Sequence, residues 1–303
     1  MRVSIIIPTY NDLAKLSRAL NSIEQVDFPR DEFEVIVVDD GSDDGTKTFA
    51  DGFGKTTKIN FDCVSQENSG PAAARNKGIE KARGEFLLIL DSDCFVDRHI
   101  LKQFLKHFPN EKLGGVGGNV LPDSENLVAR FLDYMGTWRP GRNGDEINYL
   151  VTANAFFQKQ AVEAAGGFDP DFRLPGGEEL DLCYRMRKLG FFFEYEESAK
   201  VIHAHRTNFR SLLRTFYAYG RGHARLVQKW PEEFRMGAFV FRLAGIAALK
   251  KFLLDFVREL TFYRAVVFGL LNYCCGFAYH RGYLQATKEF KADKREKQAD
   301  VGN

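Results

Sequence analysis

The stretch "EFLLILDSDCFVD", residues 85 to 97, decides the fold. Residues 86–90 form an unbroken apolar run, the pattern of a strand covered on both faces. The run stops at Asp91 and Asp93, two carboxylates separated only by Ser92. Like charges placed so close raise each other's pKa unless a cation or strong donors hold both ionised. A turn of this kind can bring oxygens to one divalent ion, and oxygen ligands suit Mg2+ or Mn2+. A helix cap or a plain strand end explains an isolated pair equally well.

Working outward, apolar runs at residues 3–7 and 35–38 and a third strand near 59–64 alternate with helical patterns. That alternation predicts βαβ units, hence an α/β fold with a mainly parallel sheet flanked by helices. Leu13, Leu16, Leu20 and Ile23 recur at helical spacing, with Asn11 expected to cap that helix. A helix is predicted over 71–83 with Pro71 in its first turn, a strand over 148–157, and a helix over 178–189 stopped by Gly190. Open sheets of this type bind ligands beyond the carboxyl ends of their strands. Those ends carry "PTYN" at 8–11, "DDGSDDGT" at 39–46 and "DSD" at 91–93. Arg75 and Lys77, on the helix after "NSGP", supply cationic donors for phosphates or for the aspartates.

The 303 residues are 45% apolar and 27% charged, as in an ordinary globular chain. The net charge of +1 hides a division: residues 206–303 hold 18 Lys and Arg against 8 Asp and Glu, whereas residues 1–205 hold 24 against 33. The basic part is expected to be a separate helical region facing an anionic partner, with the boundary at 205. Arg206, Arg210, Arg214, Arg221 and Arg225 would fall within about 100° of one another on a continuous helix. Sixteen residues without a formal charge, 265–280, are fewer than the ~20 a bilayer span requires, so they suit an interfacial or a buried helix. Five cysteines with no CxxC pair argue against a disulfide framework and a zinc site and predict a reducing compartment. The opening "MRVSIII" reads as a first strand and not as a signal peptide.

Seven segments, "SIIIPTYN", "VIVVDDGSDDGT", "NSGPAAARNKGI", "GEFLLILDSD", "GGFDP", "GGEELDLCYRMRKLG" and "VIHAHR", together resemble the family 2 glycosyltransferases of the GT-A fold. They run in the family's order over about two thirds of the chain. The resemblance implies a GT-A catalytic domain over 1–205, a helical extension over 206–303, and an inverting transfer from a nucleotide-diphospho-sugar, UDP by family habit, to an acceptor hydroxyl. It places base and ribose at Pro8, Thr9, Tyr10 and Asp40, with Arg75 nearby. Asp91 and Asp93 would serve a metal bridging the diphosphate, with Asp93 as direct ligand and His203 joining it. Asn154, Phe168 and Asp169 match segments that shape the sugar pocket.

Transfer to an alcohol needs a base. The family's acidic motif falls on Glu178, Glu179 and Asp181, with Glu179 where an aspartate is usual; Glu179 is favoured over Glu178, and Asp181 is expected to orient its neighbours. The acceptor would be a glycan or a lipid-linked glycan. The expected location is cytoplasmic, peripheral to an anionic membrane face, and no nucleic-acid partner is expected. A nucleotidyltransferase, or a non-catalytic module binding sugar nucleotides, is the alternative.

Overall fold

The structure, a computed structural model, describes residues 1–108, 110–204, 208–234 and 262–301. Its elements up to the end of the sheet are β1 (Val3–Thr9), α1 (Leu13–Glu24), β2 (Phe33–Asp39), α2 (Thr46–Thr56), β3 (Asn60–Ser65), α3 (Pro71–Lys81), β4 (Phe86–Ile89), β5 (Cys94–Val96), α4 (Ile100–Leu105), β6 (Leu113–Pro122), α5 (Leu127–Met135), β7 (Gly141–Asn143), β8 (Glu146–Tyr149), β9 (Ala155–Gln158), α6 (Lys159–Ala164), α7 (Glu178–Lys188) and β10 (Phe192–His203). Then follow α8 (Phe209–Lys229), α9 (Pro231–Phe234) and α10 (Phe262–Val301).

Eight strands form one sheet in the order β3-β2-β1-β4-β9-β6-β10-β5. The first half is parallel, as the apolar runs predict: β1 pairs with both β2 and β4, and every residue of β2 is buried. The second half is mixed, because β9 runs antiparallel to β4 and β6, and β5 antiparallel to β10. Leu16, Leu20 and Ile23 of α1 pack onto the core formed by Ile5, Ile7, Val35 and Val37. At the other end of the core Phe86, Phe104, Phe108 and Phe156 stack on one another, with centroids 4.6 to 5.7 Å apart.

Two local expectations fail. The strand predicted over 148–157 is broken by a 3-10 turn, Thr152–Asn154, between β8 and β9. There Asn154 turns inward, donating to the carbonyls of Asn119 and Ala199, so it ties β6 to β10 where their register shifts. Asn11 does not cap α1 either. It adopts a left-handed conformation (φ 49°), and its side chain accepts from the Asp43 N–H, while Asp44 accepts from the Leu13 N–H at the helix start. The cap comes from the "DDGSDDGT" turn, distant in sequence and adjacent in the sheet.

By packing, the chain divides into two units, one of Met1–Arg173 with Glu178–His205, the other of Leu174–Gly177 with Arg206–Asn303. His205 and Arg206 lie outside the described residues. The predicted arginine face is only partly realised on α8, which continues through Gly220 and Gly222. Arg210 and Arg214 are exposed, but Arg221 pairs with Glu289 of α10 at 2.6 Å and Arg225 lies over the Phe290 ring. All five cysteines are free. Among the described residues no helix is long and apolar enough to cross a membrane.

Candidate active site

The chain leaves β4 at Ile89, runs through Leu90, and carries Asp91, Ser92 and Asp93 into β5. β5 pairs antiparallel with the end of β10, setting Cys94 opposite His203, and the Ala204 N–H donates to the Asp93 carbonyl at 2.8 Å. This register delivers His203 Nε2 to 3.3 Å from Asp93 Oδ1. His203 is 5% exposed, and the Trp138 ring lies against it with centroids 4.3 Å apart. Ligand atoms of Asp93, Cys94 and His203 all fall within 4.8 Å of one another, a mixed oxygen, nitrogen and sulfur set that one divalent ion fits.

Lys15 of α1 reaches the same carboxylate, its ammonium 3.5 Å from both Asp93 and Asp12. Burial pushes the Asp12 carboxyl above the ordinary range, and the charge of Asp93 adds to that push against the pull of Lys15. Sequence reading missed Lys15, Trp138 and Cys94. Lys15 looks like any polar position on an amphipathic helix, and its role depends on the start of α1 lying beside the DSD turn.

Arg75 of α3 is the junction. Its side chain is 5% exposed, and it donates to Asp91 at 3.0 Å and to Glu178 at 2.8 Å. Burial works to lower its pKa, but the carboxylates of Asp91 and Glu178 outweigh it, so the guanidinium stays charged. The Phe168 ring lies 5.5 Å beneath it, and Asn76 holds Phe168 by two backbone hydrogen bonds. Phe168 is therefore a support for Arg75, and Asp169 accepts the Asp171 N–H within its own turn. Breaking a buried ion pair from one side costs about 3–5 kcal/mol. Arg75→Met should accordingly destabilise the fold by about that amount, read as a lower denaturant midpoint at unchanged slope.

The acidic motif opens α7. Glu178 is buried and committed to Arg75. Glu179 is half-buried, yet its Oε2 is wholly covered and has no hydrogen-bond partner. Burial, joined by the neighbouring Glu178 charge, pushes its carboxyl well above the ordinary glutamate range. The same carboxylate adds to burial in raising the Tyr149 phenol. Asp181 is buried and accepts two bonds from Arg185, which in turn donates to the carbonyls of Ala165 and Gly167. Through Arg185 it is tied to the turn at Ala165 and Gly167.

At the remaining strand ends, Thr9 is buried with an unpartnered hydroxyl and Tyr10 is 53% exposed, following Pro8 at the end of β1. Asp40 is buried and accepts from Gln66 and from the N–H groups of Ser69 and Gly70, so it holds the entry to α3 in place.

A sheet of this topology with acidic turns at the carboxyl ends of its strands is the architecture of the GT-A glycosyltransferases. The chain belongs to glycosyl transferase family 2, whose profile matches residues 4–162; the profile described as glycosyl transferase family group 2 matches residues 86–280. It is 31% identical to glycosyltransferase AglE of Haloferax volcanii over 232 residues, covering 75% of this chain and 74% of that one. Among solved structures it resembles mannosyltransferase PcManGT from Pyrobaculum calidifontis in complex with GDP-Man and Mn2+, with a TM-score of 0.64 at 20% identity over 95% of this chain and 86% of that one. It also resembles GalNAc-T7 with UDP, GalNAc and Mn2+, with a TM-score of 0.59 at 16% identity over 77% of this chain and 49% of that one. The protein is a glycosyltransferase, and neither the nucleotidyltransferase nor the non-catalytic module finds support.

Proposed function

We propose that the chain transfers a sugar, with inversion, from a nucleotide-diphospho-sugar to an acceptor hydroxyl. The observation that carries this reading is the bridge of Arg75, one buried cation joining Asp91 at the DSD turn to Glu178 at the start of α7. It brings the donor-side aspartates and the acidic helix to one place, and it singles out Glu179. Glu178 is held by the guanidinium; Glu179 has a covered oxygen with no hydrogen-bond partner and a raised pKa, which suit a group that must take a proton from an alcohol near neutral pH. Asp93 and His203 would hold Mg2+ or Mn2+, with Asp91 paired to Arg75 beside them. Such an ion supplies positive charge against the leaving diphosphate. Pro8, Thr9, Tyr10 and Asp40 line the strand ends where base and ribose would lie.

The nucleotide is open between the two neighbours, one bound to GDP-Man and the other to UDP; UDP is our expectation. Thermal shift with UDP, GDP and dTDP, with and without Mn2+, followed by turnover on a panel of donors, tests the reading. One nucleotide should stabilise the protein and its sugar should be transferred. No stabilisation by any of the three would contradict it.

The acceptor is proposed to be a glycan or lipid-linked glycan presented at an anionic membrane face on the cytoplasmic side. Support comes from α10, where Leu270, Tyr273 and Phe277 are 62%, 77% and 65% exposed along one helical face. Arg281, Lys288 and Lys291 continue that face, exposed and basic. Apolar side chains beside basic ones suit an interfacial helix, each basic residue adding roughly 1 kcal/mol near anionic lipid. The protein should co-sediment with phosphatidylglycerol vesicles at low salt and be released by high salt. Changing Arg281, Lys288 and Lys291 to Glu should abolish binding. A protein that stays in the supernatant at low salt overturns the membrane proposal and leaves the transfer chemistry standing.

A further inference from the structure

Asp12 stands at the N-cap position of α1, yet its side chain accepts no hydrogen bond from that helix. The Leu13 N–H is taken by Asp44 instead. The Asp12 carboxylate is turned to the DSD turn, where its Oδ2 accepts from the Ser92 hydroxyl at 3.3 Å and lies 3.5 Å from the Lys15 ammonium. Lys15, in the first turn of α1, is also 3.5 Å from Asp93, at Oδ2, while His203 Nε2 stands at the other oxygen, Oδ1. Asp93 is therefore addressed from two sides, by a partner that suits a divalent ion and by a cation that belongs to the chain. All of these residues lie in the unit that carries the sheet.

The Lys15 contacts are long and its side chain is 38% exposed, so they are weak as structural ion pairs. An ammonium on a flexible four-carbon stem is a movable point charge and a common ligand of phosphates. Placed here, it cancels one of the two negative charges that Asp12 and Asp93 offer a divalent ion, and it repels that ion. An anionic diphosphate reverses the balance, because it attracts both cations at once. We infer that Lys15 is a tethered counter-ion of the donor site: it weakens divalent binding to the nucleotide-free protein and turns to the diphosphate when the nucleotide arrives, so that metal and donor bind as a pair. Asp12 holds the ammonium beside Asp93 until then.

This inference rests on the proposed seat at Asp93 and His203, and its test separates the two. Mn2+ binding to the nucleotide-free protein is followed by electron paramagnetic resonance, and UDP and GDP are titrated calorimetrically at saturating Mn2+; neither readout involves turnover. Lys15→Met should bind Mn2+ about tenfold more tightly without nucleotide and the preferred diphosphate about tenfold more weakly with Mn2+, changes of the size usual for coupled sites. The opposite signs are the signature, since a lysine that merely braced the fold would weaken both. Lys15→Arg keeps the charge and should stay within about threefold of wild type in each constant. Mn2+ affinity of nucleotide-free Lys15→Met at or below that of wild type, diphosphate affinity unchanged by the substitution, or a Lys15→Arg protein that behaves like Lys15→Met would overturn the inference. Wild-type Mn2+ affinity in Asp93→Asn, with and without nucleotide, would instead remove the seat on which it rests.

Discussion

Glu179→Gln should lower turnover by about 10²–10⁴-fold with donor affinity unchanged, the range for losing a general base. The amide keeps the shape and the buried contacts of the side chain but cannot accept the acceptor's proton. Glu178→Gln should cost less in rate and more in stability, because Glu178 compensates the buried Arg75 and its amide would not. The pH profile should follow the same assignment. Burial raises the Glu179 carboxyl well above 4.5, so the wild-type rate should climb through a limb displaced upward from the usual glutamate position, and Glu179→Gln should lack that limb. Stability carries the opposite sign. The folded state binds this proton more tightly than the unfolded chain, so the residue destabilises the fold progressively as pH rises above the unfolded value of about 4.3, until the folded value is passed. Glu179→Gln should therefore melt higher than wild type at neutral pH, a gain of stability accompanying a loss of function. If Glu178→Gln proves the slower enzyme of the two, the roles are exchanged.

Asp93→Asn should remove nearly all divalent-dependent transfer, and excess chelator should do the same to wild type. Asp93 lies 3.3 Å from His203 and within reach of Lys15, so its charge is the centre of the cluster. The asparagine keeps one carbonyl oxygen and loses the charge that a hard divalent ion requires. His203→Ala should weaken metal response less severely, removing a neutral donor, and should also release the Trp138 ring stacked on it. Transfer at wild-type rate by Asp93→Asn, or by wild type in chelator, would contradict the metal assignment.

Most of the parallel half of the sheet was legible because β1, β2 and β4 are buried along their length and show as largely apolar runs, whereas the edge strand β3 is mostly exposed and mixed in composition. The 86–90 run even placed the DSD turn at a strand end, since a buried strand cannot continue through two carboxylates. The second half was less legible. β9 is only four residues long and follows a 3-10 turn whose Asn154 serves the β6 to β10 junction, so no period marks the break. Asn11 misled for a related reason: a residue before a helix looks like a cap, but here its partners are Ser42 and Asp43 on a neighbouring strand end.

In the site, the chemistry-bearing residue types could be read and their pairing could not. The family's motif favours Glu179 over Glu178 without saying what either touches; the packing of α3 against the start of α7 pairs Arg75 with Glu178. The basic tail shows the same limit. Charge count predicts a cationic surface, whereas the α8 to α10 pairing spends Arg221 on Glu289 and leaves the exposed stripe on α10 instead.

In the proposed function Asp93 and His203 would form a cation-bridged seat for a nucleoside diphosphate. Isothermal titration of UDP and GDP into the wild-type protein, with Mn2+ and then with excess chelator, tests it most directly. The account predicts that the preferred diphosphate binds at least about tenfold more tightly with Mn2+, since the ion joins two anionic partners, and that Asp93→Asn erases the difference. Equal affinity with and without Mn2+ in the wild-type protein would contradict it.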